Sequence, residues 1–266
     1  MMAKNNALLS FDIEEFDLPR EHGEEISLED GVARSSEGTE RILNILKRTG
    51  VKATFFVTGN FARVNPGLVR KIAEAGHEVA CHGVDHFSPK ASDPAESKKI
   101  VEKTLGGRVY GYRQPRMFKI DYKELKRCGY KYDSSINPAF VPGRYNNFRT
   151  PRRPFLREGV TELPVSAATG LRIPLFWLSL HLFPKRLYLS LAKTALRHQG
   201  YFATYFHPWE FTNLAEVPEA PSYIRKNSGE KLERRLEWVI RELKRGGAEF
   251  LTYKEFLSKE EDEEAK

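Results

Sequence analysis

The amino-acid sequence predicts an α/β fold built on a parallel sheet, which is either open or closed into a barrel. Strand-like and helix-like segments alternate along the chain, and no tight hairpin joins successive predicted strands in its first half. The chain has 266 residues, of which 40% are hydrophobic and 30% charged, as is usual for one large globular domain. We therefore expect a single catalytic domain over residues 1–258 and an acidic, disordered tail at 259–266.

The first half of the chain contains most of the predicted strand and helix pairs. Residues 7–11 form a short apolar strand, and Ser36 or Thr39 is expected to cap a helix that ends near Arg48. Residues 52–58 are β-branched and aromatic, which is typical of a buried strand. The same signals predict further strands at 78–81, 109–112 and 130–134, and further helices at 66–75, 94–105 and 121–129.

A long irregular insertion then interrupts the alternation. Residues 137–158 are rich in Pro, Arg, Asn and aromatic side chains, and loops of that length usually line a binding site or are disordered. The aromatic content favours a binding site. Beyond the insertion, strands are predicted at 162–165, 201–206 and 248–251, and helices at 184–199, 229–243 and 253–257.

Polar side chains follow five of the predicted strands, at the points where those strands end. They are Asp12 with Glu14, His82 with His86, Arg113, Asp133 and His207. The carboxyl ends of parallel strands meet at one edge of a sheet or barrel, where catalytic groups converge. Two imidazoles four residues apart, together with a carboxylate, are ligands that suit a zinc-like metal. The sequence therefore predicts a metal-dependent hydrolase.

The motifs around these residues resemble those of a known family. A strand followed by Asp-x-acid, then ATFFVTG, GHEVACHGVDH, YRQP and YFHPWEF, is similar to the polysaccharide deacetylases, also called NodB-homology or carbohydrate esterase family 4 proteins. The resemblance extends from Ala7 to Phe256 and is closest to the exosortase-associated exopolysaccharide deacetylases. It implies a distorted (β/α)7 barrel that removes N-acetyl groups from an amino sugar in a polysaccharide or lipid-linked oligosaccharide.

The resemblance also implies a role for each polar position. Asp12 matches the catalytic base, Arg113 the arginine that orients it, and His207 the general acid. Asp133 lies on the strand where the family keeps an acidic partner for that histidine. The implied ligands of the divalent metal, zinc first with cobalt, nickel or manganese as alternatives, are Glu14, His82 and His86.

Two positions depart from the family pattern. The second acidic residue usually follows the base directly, but Ile13 occupies that place, so Glu14 becomes the expected ligand, with Glu15 as the alternative. Gly83 stands where Ser or Thr is common, which we expect to remove a hydrogen bond but no ligand.

Three further residues are expected to bind substrate. Trp209 would form a wall for a sugar face, and Tyr145 and Arg149 belong to the aromatic, arginine-rich insertion. We interpret the remaining histidines as structural or surface residues: His22, His77, His181 and His198.

Charge and composition restrict the partners. The net charge of +7 favours an anionic or glycan partner, whereas no arginine-rich tract supports nucleic-acid binding. The N-terminus has no apolar leader segment, which predicts a cytoplasmic location. Residues 163–209 lack acidic side chains and contain the apolar run 173–178, which suits peripheral contact with an anionic membrane. Packing of that run in the core or a pocket wall is the alternative.

Two other functions fit the same motifs. One is an allantoinase-like or cyclic-imidase-like amidohydrolase on the same fold, and the other is a relative that binds glycan without catalysis. The complete set of acid, imidazole and base favours catalysis, and the aromatic, arginine-rich insertion favours a sugar over a small imide.

Overall fold

The computed structural model describes residues 5–142 and 145–264, apart from the side chains of Tyr145 and Glu264. Its strands are β1 (Asn6–Ile13), β2 (Thr54–Val57), β3 (Glu78–Cys81), β4 (Gly111–Tyr112), β5 (Tyr132–Asp133), β6 (Phe140–Val141), β7 (Tyr145–Asn146), β8 (Phe155–Arg157), β9 (Val160–Glu162), β10 (Tyr201–Phe206) and β11 (Glu249–Leu251). Its α-helices are α1 (Leu18–Glu21), α2 (Leu28–Thr49), α3 (Gly59–Val64), α4 (Pro66–Glu74), α5 (Asp93–Leu105), α6 (Tyr122–Arg127), α7 (Trp177–Leu182), α8 (Lys185–Gln199), α9 (Ser222–Arg225), α10 (Glu230–Arg245) and α11 (Tyr253–Glu264).

The main sheet is curled and almost entirely parallel. Its strand order is β10-β1-β2-β3-β4-β5-β9-β8, with β11 beside the start of β1, and β8 is antiparallel to β9. Beyond β9, the amide of Ser166 donates to the carbonyl oxygen of Ala203 in β10 at 2.9 Å, which brings the two sides of the sheet together. The fold is therefore α/β with a half-barrel mixed sheet, which confirms the predicted distorted barrel.

Side-chain alternation divides the buried residues into two layers. Leu8, Phe56, Ala80, Tyr132 and Ala203 point into the barrel and pack on one another. Their chain neighbours point outward into a larger apolar layer shared with α2, α4, α8 and α10. Because successive strand residues face opposite sides, the parity of a position decides whether its side chain reaches the barrel interior or the surrounding layer.

Helix α2 begins earlier than the sequence predicts. Ser27, not Ser36 or Thr39, caps it, since the Ser27 hydroxyl accepts from the amide of Asp30 at 3.0 Å. The polar first turns contain glycine because the helix lies against other backbone there: a Cβ at Gly38 would be 1.8 Å from the carbonyl oxygen of Pro208. That contact fixes the short 3-10 helix at Pro208–Phe211, which follows β10.

The acidic end of the chain differs from the expected disordered tail. Helix α11 continues to Glu264, so residues 259–264 are helical, while 265–266 lie outside the described residues. Glu and Lys have good helix propensity, and Lys259 Nζ also contacts Glu249 Oε2 at 2.6 Å. The first turns of α11 are packed on the barrel through Tyr253 and Phe256, and the later turns extend from them.

The predicted insertion and the apolar run both acquire structure. Residues 137–158 contain the hairpin β6–β7 and the edge strand β8, and in the apolar run Leu175 and Phe176 are buried. The run therefore packs in the core and near the cavity, as the alternative interpretation expects. Among the described residues, none of the helices combines the length and apolarity that crossing a membrane requires.

Candidate active site

A cavity of about 240 Å³ opens at the carboxyl end of the barrel. Its lining includes five of the polar residues that the sequence singles out: Asp12, Glu14, His82, His86 and His207. Each lies at or just after the carboxyl end of a strand, and Asp12, His82 and His207 have the inward parity of their strands. The predicted convergence of these side chains is therefore a feature of the structure.

Glu14, His82 and His86 form a compact cluster in that cavity. Glu14 Oε2 lies 3.5 Å from His82 Nε2 and 3.0 Å from His86 Nε2. One ligand atom from each of the three residues lies within 4.8 Å of the others. Two imidazole nitrogens and one carboxylate oxygen are the donor set of many catalytic zinc sites, which keep a further position for water or substrate.

Both imidazoles are held so that Nε2 faces Glu14. His82 Nδ1 is 2.9 Å from the carbonyl oxygen of Arg113, so this nitrogen donates its proton there. His86 Nδ1 is 2.8 Å from Asp17 Oδ2. Such outer contacts fix the tautomer and ring orientation of metal-binding histidines. Asp17 is thus a supporting residue that the sequence pattern does not single out.

The charges in the cluster favour a cation. Burial opposes ionisation of Glu14, but His86, His207 and His82 outweigh it and hold its pKa below the usual value. Burial likewise opposes charging of His86, yet Glu14 and Asp17 raise its pKa to about 9. Glu14 Oε2 is buried and receives no hydrogen bond from the described residues. An unpaired oxygen between two Nε2 atoms fits a divalent metal ion.

Trp209 supports the cluster from its other side. Its Nε1 donates to Glu14 Oε1 at 3.0 Å, and its ring stacks on the His207 ring with centroids 5.1 Å apart. The predicted location of Trp209 in the cavity wall agrees with the structure. These two contacts orient the side chains of Glu14 and His207.

Arg113 and Asp12 form a buried pair beneath the cluster. Arg113 Nη1 donates to Asp12 Oδ1 at 2.6 Å, and its Nε donates to the carbonyl oxygen of Ser134 at 2.7 Å. Asp12 Oδ2 is 4.0 Å from His82 Nε2, so the second carboxylate oxygen faces the cluster. The guanidinium lies 4.0 Å from the ring centroid of Phe56, inside the barrel. This geometry agrees with an arginine that orients Asp12.

The acidic partner of His207 is Glu210, and the expectation that Asp133 has this role is wrong. His207 Nδ1 lies 2.8 Å from Glu210 Oε1, and Glu210 Oε2 lies 2.8 Å from His181 Nε2. Burial opposes charging of His207, but Glu14 and Glu210 raise its pKa overall. His181, interpreted from sequence as structural or surface, is fully buried as the third member of this chain of contacts.

Asp133 points away from the cavity because it has the outward parity of β5. Its neighbours Tyr132 and Ser134 face the barrel interior, where Ser134 contacts Arg113. Asp133 instead accepts from the Ser135 hydroxyl at 2.7 Å and lies beside Glu162. Ser135 in turn accepts from the amide of Gln114, a cavity-lining residue, so Asp133 supports the cavity wall indirectly.

Gly83 is required by the turn that separates His82 from His86. Its φ is +68°, a region that favours glycine, and a Cβ there would lie 2.6 Å from Pro115 Cγ. A Ser or Thr side chain has no room at this position. The departure from the family pattern therefore has a steric reason.

One predicted substrate contact, Arg149, does not lie in the cavity. Arg149 is exposed on a separate depression with Phe140, Asn146 and Phe148, and the side chain of Tyr145 lies outside the part of the chain that the structure describes. Trp177 also lines the cavity, as the pocket-wall interpretation of the run 173–178 expects, and its ring lies 5.4 Å from that of His207.

Part of the chain is similar to known polysaccharide deacetylases. Residues 25–132 match the family model described as polysaccharide deacetylase. The peptidoglycan-N-acetylmuramic acid deacetylase PdaA of Bacillus subtilis is 33% identical over 119 residues, which are 41% of this chain and 45% of that protein. The chain thus spans less than half the length of the curated relatives it matches.

Solved structures match the fold over most of the chain. The "probable polysaccharide deacetylase" of Pseudomonas aeruginosa aligns with a TM-score of 0.62 at 17% identity, covering 95% of this chain and 89% of that one. The Puue allantoinase aligns with a TM-score of 0.62 at 16% identity, covering 94% and 88%. At these identities the likeness extends to the fold alone, and it agrees with the curled sheet described above.

Proposed function

We propose that the protein is a metal-dependent hydrolase that removes N-acetyl groups from an amino sugar. The match to the polysaccharide deacetylase family model and the likeness to PdaA support this proposal. One observation carries the proposal. The Glu14, His82 and His86 cluster shares a single cavity with Asp12 and with His207. Amide hydrolysis needs an activated water, a base and an acid for the leaving amine, and this cavity offers residues for each.

Glu14, His82 and His86 would hold the metal ion. Two nitrogen donors and one oxygen donor favour zinc, with cobalt, nickel and manganese as alternatives. When bound, a divalent ion polarises an amide carbonyl and lowers the pKa of water. Trp209 and Asp17 keep the ligand atoms aimed at a common point.

Asp12 acts as the base that takes a proton from the attacking water. The 2.6 Å ion pair between Arg113 Nη1 and Asp12 Oδ1 holds the carboxylate in a fixed orientation for this role. Because Arg113 engages Oδ1, the other oxygen of Asp12 is left for the proton. Arg113 itself is fixed by the backbone and hydroxyl of Ser134, so the orientation of the base depends on β5.

His207 acts as the acid that protonates the departing amine. Its Nδ1 is engaged with Glu210, so Nε2 is the nitrogen that donates. The raised pKa keeps the imidazole protonated over more of the neutral range. Trp177 and Trp209 pack against the ring and exclude water from its faces.

We infer an amino sugar of an exopolysaccharide or lipid-linked oligosaccharide as the substrate. The cavity wall carries the aromatic rings of Trp177, Tyr205 and Trp209, which suit the apolar face of a sugar. The motif likeness to exosortase-associated deacetylases favours exopolysaccharide over peptidoglycan as its source.

The test measures acetate release and metal content together. N-acetylglucosamine oligomers, peptidoglycan and N-acetylated exopolysaccharide are supplied in parallel with allantoin, to wild type and to Asp12→Asn. We expect acetate from a glycan, no turnover of allantoin, and loss of activity in Asp12→Asn. The matched control is Asp133→Asn, which alters a buried aspartate outside the cavity.

Two results would contradict the proposal. Hydrolysis of allantoin without acetate release from any glycan would favour the amidohydrolase alternative. Glycan binding by a wild-type protein that releases no acetate with any of the four metals would favour a binding protein.

A further inference from the structure

Two loops that follow strands of the main sheet expose apolar side chains. The β6–β7 hairpin and the residues just after it follow β5 and present Phe140 and Phe148, which are 55% and 48% exposed. The loop between Ala167 and Pro174 follows β9 and presents Leu171, which is 83% exposed. Both loops follow strands that are parallel in the main sheet.

Arg172 joins the two loops into one surface. Its Nη1 donates to the carbonyl oxygen of Thr150 at 2.7 Å, and its guanidinium lies 5.0 Å from the ring centroid of Phe148. Phe148 in turn shares a depression with Phe140 and Arg149. We call Phe140, Phe148, Arg149, Leu171 and Arg172 the loop surface.

The charge around the loop surface is positive. Neither residues 134–157 nor residues 163–176 contain an aspartate or glutamate, and Arg149, Arg152 and Arg153 follow the hairpin. Burial lowers the pKa of Arg172, and the like charge of Arg152 lowers it further. Arginines close to one another among exposed apolar side chains attract an anionic partner.

We propose that the loop surface docks the protein on an anionic lipid bilayer. Phe and Leu side chains gain free energy by entering the interfacial region of a bilayer. Adjacent arginines attract anionic headgroups.

This surface differs from the membrane contact expected from sequence. The apolar run 173–178 supplies core and cavity-wall residues such as Leu175 and Trp177, so it is not the exposed element. The exposed side chains lie just before it and on the neighbouring hairpin. The inference goes beyond the proposed deacetylase activity and does not depend on it.

The experiment is vesicle flotation with purified full-length protein. Vesicles of phosphatidylcholine alone are compared with vesicles that also contain phosphatidylglycerol. We expect wild type to bind the anionic vesicles at least about tenfold more tightly than the neutral ones. The double variant Phe148→Glu/Leu171→Glu is expected to lose about tenfold or more, and Arg149→Ala about fivefold, in affinity for the anionic vesicles.

The control variant is Leu156→Glu. Leu156 is 73% exposed, but it lies in the middle of the edge strand β8 and not on the loop surface, so its affinity should equal that of wild type. Asp12→Asn should also bind like wild type, which separates this proposal from the deacetylase proposal. Circular dichroism checks that each variant is folded.

Several outcomes would overturn the inference. They are a wild type that floats with neither vesicle, a Phe148→Glu/Leu171→Glu variant that binds like wild type, and a Leu156→Glu variant that weakens binding equally. Loss of binding to an anionic polysaccharide in the double variant, without vesicle binding by wild type, would assign the loop surface to a glycan and also overturn it.

Discussion

The two walls of the cavity are built differently. Glu14, His82 and His86, which we call the ligand wall, follow β1 and β3 within a few residues of the strand ends. His207, Glu210 and His181, the acid wall, combine the end of β10 with a histidine on α7 that is 29 residues from Glu210. The comparison teaches that each group which would contact metal follows a strand of the sheet by a few residues, whereas the acid wall also uses a histidine from a helix outside the sheet.

The two walls also differ in electrostatics. In the ligand wall the carboxylate of Glu14 is kept ionised among imidazoles, which prepares it for a cation. In the acid wall the carboxylate of Glu210 is likewise held below its usual pKa, by His181 and His207 against the effect of burial, and His207 in turn gains basicity. One wall is thus suited to bind a metal and the other to hold a proton.

Loss of a ligand should give the largest effect. In Glu14→Gln we expect acetate release to fall by about 10³-fold or more, because the cation site loses its charged donor. Bound metal should fall in parallel when the protein is equilibrated with zinc and analysed by mass spectrometry. A variant that keeps one equivalent of metal and wild-type activity would remove Glu14 from the ligand wall.

Removal of the general acid should impair the acid wall and leave metal binding by the ligand wall intact. His207→Gln is expected to lower kcat by about 10²- to 10⁴-fold, because an unprotonated amine leaves poorly. Metal content should stay at the wild-type level, since Glu14, His82 and His86 are intact. Metal loss equal to that of Glu14→Gln would show that the two walls do not act separately.

Glu210 should set the pH at which His207 works. Because Glu210 raises the pKa of His207, Glu210→Gln should lower that pKa and move the alkaline limb of the kcat–pH profile to lower pH. We also expect kcat at neutral pH to fall by about 10- to 100-fold. The matched control is Asp133→Asn, whose alkaline limb should coincide with that of wild type, and an equal shift in both variants would restore Asp133 as the partner.

The smallest effect concerns the buried acids outside both walls. Burial raises the pKa of Glu162, and Asp133 raises it further. In the folded state Glu162 therefore keeps its proton above pH about 4.3, which is the pKa of a glutamate in the unfolded chain. The stability of the folded state falls as pH rises from that value toward the pKa of Glu162 in the folded protein. Glu162→Gln has no such proton, so its unfolding free energy relative to wild type should increase from pH 5 to pH 8 by about 1 kcal/mol. Urea unfolding at both pH values measures this, and parallel pH dependences would contradict it.

Much of the ligand wall could be predicted from the sequence. The spacing of His82 and His86 and the alternation of Asp12 and Glu14 are local, and each follows an apolar strand. The same alternation could have excluded Asp133, because Tyr132 and Ser134 occupy the inward positions of β5. The signal was present, but the strand is short and its register was not fixed by sequence.

Other features depend on tertiary contacts that have no local signature. The apolar run before α7 gives no sign that Trp177 and His181 approach β10, because this requires the chain to return to the barrel. Gly31 and Gly38 lower the helix propensity of the first turns of α2, although close packing on Phe16 and Pro208 requires them. The position of Arg149 likewise has no local signature: it lies in a separate depression with Phe140, Asn146 and Phe148.

The most direct test of the central claim is a metal titration of chelator-treated protein, with acetate release from an N-acetylated glycan measured at each addition of zinc or cobalt. We predict that activity rises linearly and reaches its plateau at one equivalent, and that His82→Ala neither binds the metal tightly nor regains activity. Full activity of the chelator-treated protein, verified to be free of metal, would contradict the account of Glu14, His82 and His86 as a catalytic metal site.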